Sequence, residues 1–209
     1  LTLKALGDFS GAADVLDDVA KKAGDDPTAE SIVYQLADCR FRSGQLDEAE
    51  TSFLKVTQLW PKGKFADHSL YFATECIIQS AKALERDGRA ARLKDADLLL
   101  TKFDREYSSS TIRLSHELQR GQFLMLRATP EDLKQAEKIY EAVLTATKRE
   151  QTQAEARYQL ARTRQEQGDS QGALDAIAPL ATAVMQNPKT GLPESLILYA
   201  YLSLEAAKP

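Results

Sequence analysis

Two histidines and two cysteines are the scarce reactive side chains of this 209-residue chain, and their spacing decides what chemistry is open to them. His116-Glu117 opens like a zinc-protease motif, in which a second histidine one helical turn on completes the grip on the metal, but that position holds Arg120. His68 stands far away in the chain, and Cys39 and Cys76 have no neighbours at metal-ligand spacing, so no metal and no cofactor is expected. Asp14, Asp17, Asp18, Asp25 and Asp26 gather carboxylates without the alternating spacing and glycine of a calcium loop. Glycine-rich phosphate loops and Gly-x-Ser-x-Gly elbows are missing, and the chain is expected to be non-catalytic.

What positions side chains here is repetition. Ala12, Ala49, Ala96, Ala136 and Ala173 open similar segments at gaps of 37, 47, 40 and 37 residues. Tyr34, Gln35, Leu36, Ala37, Arg40, Gly44 and Ala49 recur as Tyr158, Gln159, Leu160, Ala161, Arg164, Gly168 and Ala173, each displaced by 124. A third copy matches at +37, where Val33, Tyr34, Asp38 and Cys39 become Leu70, Tyr71, Glu75 and Cys76. Its second half arrives ten residues late, so extra length falls between the two halves of that copy.

Each copy reads as two helices, because apolar residues recur at three and four. The expected helices are 8-23, 27-43, 45-59, 64-87, 89-106, 110-127, 130-147, 150-167, 170-186 and 193-207, with no sheet. Residues 1-6 look like the last turns of a further helix. Gly44 offers the positive φ of a helix end, and Pro61 stops the helix before it. Asp26-Pro27 and Thr129-Pro130 read as N-caps followed by proline, and Asn187-Pro188 and Gly191-Leu192-Pro193 as the last break. Two antiparallel helices lie roughly 8-10 Å apart and need small residues at closest approach, the place of Ala37 and Ala49. Cys39 and Cys76 are equivalent positions in successive copies, about one helix spacing apart, whereas a disulfide needs Cα atoms within about 7 Å. Free, buried thiols are expected.

In residues 30-61 the pattern Val33, Leu36-Ala37, Ala49, Phe53, Val56 and Pro61 resembles the tetratricopeptide repeat family, and Leu160-Ala161, Ala173, Ile177 and Leu180 carry a second copy. Val33 replaces the family's usual tryptophan, Arg40 stands where a tyrosine is common, and the copies at 64-106 and 110-147 are longer than usual. The resemblance implies an all-α fold, a right-handed α-α superhelix of about five helix-turn-helix units over 1-209. Those units are approximately 1-26, 27-61, 62-107, 108-148 and 149-187, with a terminal helix 193-207. The chain reads as a fragment of a longer protein.

By the same resemblance the first helix of each unit lines a concave groove. The groove positions carried over are Ser31, Tyr34, Asp38, Phe41 and Arg42, then His68, Tyr71, Glu75, Ile78 and Gln79, then Glu155, Tyr158, Arg162, Gln165 and Glu166. Tyr34, Tyr71 and Tyr158 form a partial aromatic ladder. Asp38 with Arg42, and Arg162 with Glu166, are four apart and also read as ion pairs within one helix. The family's carboxylate clamp is missing, since Tyr34, Asp38 and Tyr158 stand at its lysine, asparagine and arginine positions.

The resemblance implies a scaffold that holds a peptide or protein segment, with a self-associating spacer module as the alternative and a small-molecule binder, glycan binder or enzyme after it. Trp60-Pro61-Lys62-Gly63-Lys64-Phe65-Ala66-Asp67 resembles a junction in bacterial cell-envelope members of the family, which implies a periplasmic setting, with the cytoplasm as alternative. No apolar run approaches the ~20 residues of a membrane helix. Residues 1-30 hold seven acidic and three basic side chains and carry the whole net charge of −4, leaving the rest neutral. Arg86, Arg89, Arg92 and Lys94 are interleaved with acids, so no nucleic-acid partner is expected.

Overall fold

The computed structural model describes residues 2–24, 26–188 and 192–206; Asp25, Gly191 and the last residue of the expected 193-207 helix lie outside them. Among the described residues there are eleven helices and no strand. They are α1 (Thr2–Ala5), α2 (Phe9–Ala23), α3 (Ala29–Arg42), α4 (Leu46–Leu59), α5 (Ala66–Lys82), α6 (Arg86–Glu106), α7 (Arg113–Arg127), α8 (Pro130–Ala146), α9 (Glu150–Glu166), α10 (Ser170–Gln186) and α11 (Glu194–Ala206). Contacts divide the chain into two compact blocks, Leu1–Ile112 and Arg113–Pro209. In the first block α2 packs on α3, α3 on α4, α4 on α5 and α5 on α6; in the second the same chain-order packing runs from α7 to α11.

Gly7, Gly44 and Gly168 show why the chain reverses where it does. Their φ values are 79°, 79° and 81°, a left-handed conformation that costs glycine little. In each turn the glycine N–H donates to the carbonyl three residues back, of Lys4, Phe41 or Gln165, at 3.1, 3.1 and 2.9 Å. The next N–H donates to the carbonyl five residues back, of Leu3, Arg40 or Arg164, at 3.0, 2.9 and 2.9 Å. These paired bonds close the helix end. Asp8 and Asp169 then cap the following helix, each carboxylate accepting from the N–H three residues on at 2.9 Å.

Two of the helix boundaries that differ from the sequence expectation have a visible local cause. α3 begins at Ala29, because Asp26 Oδ1 accepts both the N–H and the hydroxyl of Thr28, at 2.8 and 2.6 Å, and holds a turn where an N-cap was expected. The break after α5 falls at residues 83–85, and Gly88 lies inside α6. Arg89 sets that break, its Nε donating to the Ala81 carbonyl and its Nη2 to that of Leu84, at 3.2 and 3.0 Å. The Thr129-Pro130 start of α8 is as expected, with Thr129 Oγ1 accepting from the Asp132 N–H at 3.1 Å.

The core follows the small residues. Ala37 and Ala49 are fully buried and pack in one cluster with Phe53, Ala73 and Cys76. Val33, Leu36, Cys39 and Val56 join Ala12, Ala13 and Ala20 in another. Both cysteines are buried and free. In the second block Gly121 occupies the small position of α7; a Cβ there would lie 2.5 Å from the ring of the buried Tyr140 in α8.

Candidate functional site: the face of the first helices

The face exists only if successive hairpins hold their register, and two equivalent arginines do that. Arg40 on α3 donates through Nη2 to Asp17 on α2 at 3.0 Å and through Nη1 to Ser52 on α4 at 2.7 Å. Arg164 on α9 reaches back to α8, with Nε 2.8 Å from Glu137 and Nη2 2.7 Å from Glu141, and forward to the Gly172 carbonyl on α10 at 3.3 Å. Each thus joins three helices: the second helix of the preceding hairpin and both of its own. The +124 match singled out these arginines, and the same displacement takes Asp17 to Glu141, one hairpin back. On α6, Arg92 plays a related part, bonding Glu50 of α4 at 2.5 Å and Ser80 of α5 at 3.1 Å.

A second recurrence sets the helix starts. The Glu30 carboxylate accepts the N–H groups of Phe65 and Lys64 at 2.7 and 3.2 Å. Asp67, its equivalent at +37, accepts the Ser110 hydroxyl through Oδ2 at 2.6 Å. The first acid ties the start of α3 to that of α5, and the second ties the start of α5 to the turn after α6.

On this framework the expected site residues of the first block make the following contacts. Tyr34 stacks on Phe65 at 4.5 Å between ring centroids and meets Phe53 edge-on at 5.8 Å. Asp38 accepts from Arg42 on its own helix and from Lys4 on α1, both at 2.8 Å. The Arg42 guanidinium also lies over the Phe9 ring at 5.5 Å, within cation–π range. Phe41 packs on Phe72 of α5 at 5.5 Å, so it serves the core as much as the surface. Tyr71 meets Phe72 edge-on at 5.2 Å, and Glu75 accepts from Gln79 at 3.0 Å. Ile78 is fully buried beside Ile77, which corrects its expected place on the face: a wholly apolar side chain gains more inside.

In the second block Tyr158 is half-buried and Arg162 exposed. Glu155, on the same face, accepts from Gln159 at 2.7 Å and from Gln122 of α7 at 3.4 Å.

Burial works to raise the Asp38 carboxyl, but the hydrogen bonds from Lys4 and Arg42 outweigh it and hold it below its ordinary value. Tyr34 is shifted upward, first by burial and then by the negative charge of Asp38. His68 Nδ1 lies 2.8 Å from Asp67 Oδ1, and Asp67 Oδ2 holds Ser110, so the order is histidine, aspartate, serine. In hydrolytic triads the histidine stands in the middle and takes the serine proton; here the carboxylate accepts it and no nucleophile forms. Among the described residues no group of three or more His, Cys, Asp or Glu could hold a metal, and no helix is long and apolar enough to cross a membrane.

The fold defines a class, an α-solenoid built from helical hairpins. Residues 32–63 match the model of the tetratricopeptide repeat family. A thermophilic TPR protein of Thermus thermophilus superposes with a TM-score of 0.69 at 22% identity, over 97% of this chain and 94% of that one. Two structures of a Podosopora anserina chain with nearly identical TPR-like repeats give TM-scores of 0.68 and 0.58 at 16% and 15% identity. They cover 90% and 100% of this chain, and 92% and 93% of theirs. No curated protein sequence matches the chain. At such identities the structural likeness establishes the fold alone: this chain has the tetratricopeptide-repeat fold, with the family's sequence pattern matched in its second hairpin, α3–α4.

Proposed function

We propose that the chain is a non-catalytic interaction scaffold that holds a peptide or protein segment along the groove face of its first helices. The observation that carries this reading is support from beneath. Tyr34 is already stacked on Phe65, and Asp38 is already bonded to Lys4 and Arg42. Side chains fixed before the ligand arrives lose little freedom on binding, which leaves more of the contact energy as affinity. Tyrosine adds large area and a polar tip. Tyr71 extends the reading along α5 of the first block, and Arg162 on α9 is the candidate contact of the second block taken by itself.

The test is capture of binding partners with the chain as bait, repeated with Tyr71→Ala and Arg162→Ala. Loss of a partner in either variant, with unchanged thermal unfolding, supports the groove. An identical partner set in both overturns it. Tyr34→Ala is a poorer probe than the sequence suggests, because Tyr34 also packs on Phe53 and Phe65 and its loss would loosen the core.

A further inference from the structure

Glu30 has no acidic counterpart in the hairpin α9–α10. In the first block its carboxylate reaches from the start of α3 to the turn after α4, where it accepts the N–H groups of Phe65 and Lys64 at 2.7 and 3.2 Å. It leaves no room there for a Cβ on Gly63. Displaced by 124, Glu30 becomes Ala154, Gly63 becomes Asn187 and Lys64 becomes Pro188, so the carboxylate and one of its N–H donors are lost together. Ala154 and Asn187 instead line a cleft of about 300 Å³ between the start of α9 and the end of α10, with Pro179, Leu180 and Ala183 as its apolar wall.

The same displacement puts two charges on that lining. Val33, 2% exposed in the core of the first block, becomes Arg157, and Asp26, whose carboxylate holds Thr28, becomes Glu150. Both line the cleft, and neither side chain has a hydrogen bond or ion pair with any described residue. Seven residues separate them on one face of α9, so their Cα atoms lie about 10 Å apart, with Ala154 between. The cleft thus has a basic end, an acidic end and an apolar middle.

We propose that this cleft binds a dipeptide with free termini, its carboxylate on Arg157, its ammonium on Glu150 and its side chains against the apolar wall. The two opposite unpaired charges select a zwitterion, since a ligand with one charge would leave the other end without a partner. A carboxylate is also what the first hairpin itself holds in the equivalent space, through Glu30. Length selects the dipeptide. Two extended residues span at most about 7 Å, and the long side chains of Arg157 and Glu150 close the remainder, whereas a single amino acid carries both charges on one carbon. The volume, at the lower end of the about 300–1,000 Å³ of ligand pockets, suits so small an occupant. The site goes beyond the scaffold reading and does not rest on it.

The test uses the 209-residue chain with isotope-labelled alanine and leucine methyls, titrated with alanyl-leucine. Saturable shifts are expected at Ala154, Leu180 and Ala183. N-acetyl-alanyl-leucine and alanyl-leucine amide, each lacking one charge, should bind about tenfold more weakly. Arg157→Gln should make the dipeptide and its amide bind alike, and Glu150→Gln should do so for the dipeptide and its acetyl form. Ala154→Glu, which restores the carboxylate of the first hairpin, should abolish binding; if that variant fails to fold, the two charge variants decide. Absence of shifts at these methyls, undiminished binding to folded Ala154→Glu, or discrimination that survives both charge variants would each overturn the site. So would equal binding of free leucine, because one amino acid would then suffice. Tyr71 and Arg162, which probe the groove, do not line the cleft, so failure of the groove and failure of the cleft read out separately.

Discussion

The guanidinium of Arg164 lies 2.7 Å from the carboxylate of Glu141, five residues after Ala136, and Arg40 holds Asp17, five residues after Ala12, in the same way at 3.0 Å. The pair is one contact used twice: each arginine reaches from the first helix of its hairpin to the second helix of the one before.

Arg164 therefore should count for more than a surface charge. Its side chain is 21% exposed and that of Glu137 26%. A double-mutant cycle with Arg164→Ala and Glu137→Ala is expected to give a coupling of about 1–2 kcal/mol, above the ~0.2–1 kcal/mol of exposed pairs. A coupling near zero in chemical denaturation would show that the bond does not bind the hairpins.

Glycine to alanine should act with opposite sign at two helical sites. Gly121→Ala would push a methyl into the Tyr140 ring, so a loss of about 1–3 kcal/mol is expected. Gly88→Ala, inside α6, meets nothing closer than Leu84 Cβ at 3.6 Å, and a gain of about 0.4–1 kcal/mol is expected. Melting curves of the two variants check both, and a stabilising Gly121→Ala would place Tyr140 elsewhere.

Acid should weaken the link between α1 and α3. Asp38 is held below its ordinary value near 3.8, so the folded chain releases that proton more readily than the unfolded chain. Its stabilising contribution is present above that value and is lost as pH falls through the lower folded value. Asp38→Asn should flatten this part of the acid limb when stability is measured from about pH 6 downward. An acid limb identical to that of the unaltered chain would remove Asp38 from the account.

Cys76 should be inert in the native state. Burial first, and then the charges of Glu50 and Glu75, push its thiol up to about 12, so almost no thiolate exists at neutral pH. A chromogenic disulfide reagent at about pH 8 should leave Cys76 unmodified until denaturant is added. Rapid labelling of Cys76 in the folded chain would contradict its burial.

Helix order and most helix ends were legible because they depend on local chemistry: Gly44 and Gly168 for left-handed turns, Pro61 and Pro130 for stops and starts, and alanine where helices touch. Two boundary errors came from local side-chain bonds that compete with the expected caps. Asp26 spends its carboxylate on Thr28, and Arg89 caps α5 ahead of the glycine that looked like the break. Gly121 escaped notice because α7 and α8 belong to a lengthened copy that does not align. At the candidate site, the Asp38–Arg42 pair followed from its spacing of four, while Lys4 could not be foreseen as a partner of Asp38. That bond depends on how α1 meets α3, and no spacing along the chain records it.

In the first block each helix leans on the one before it and the one after it in the chain. Seen as a mechanical object, such a block has no clasp among its described residues that joins its far ends, so load applied along the chain passes from helix to helix. Under tension the hairpins would peel away singly, each releasing its own length of slack, and any hairpin left standing would serve as the template on which the rest zip back.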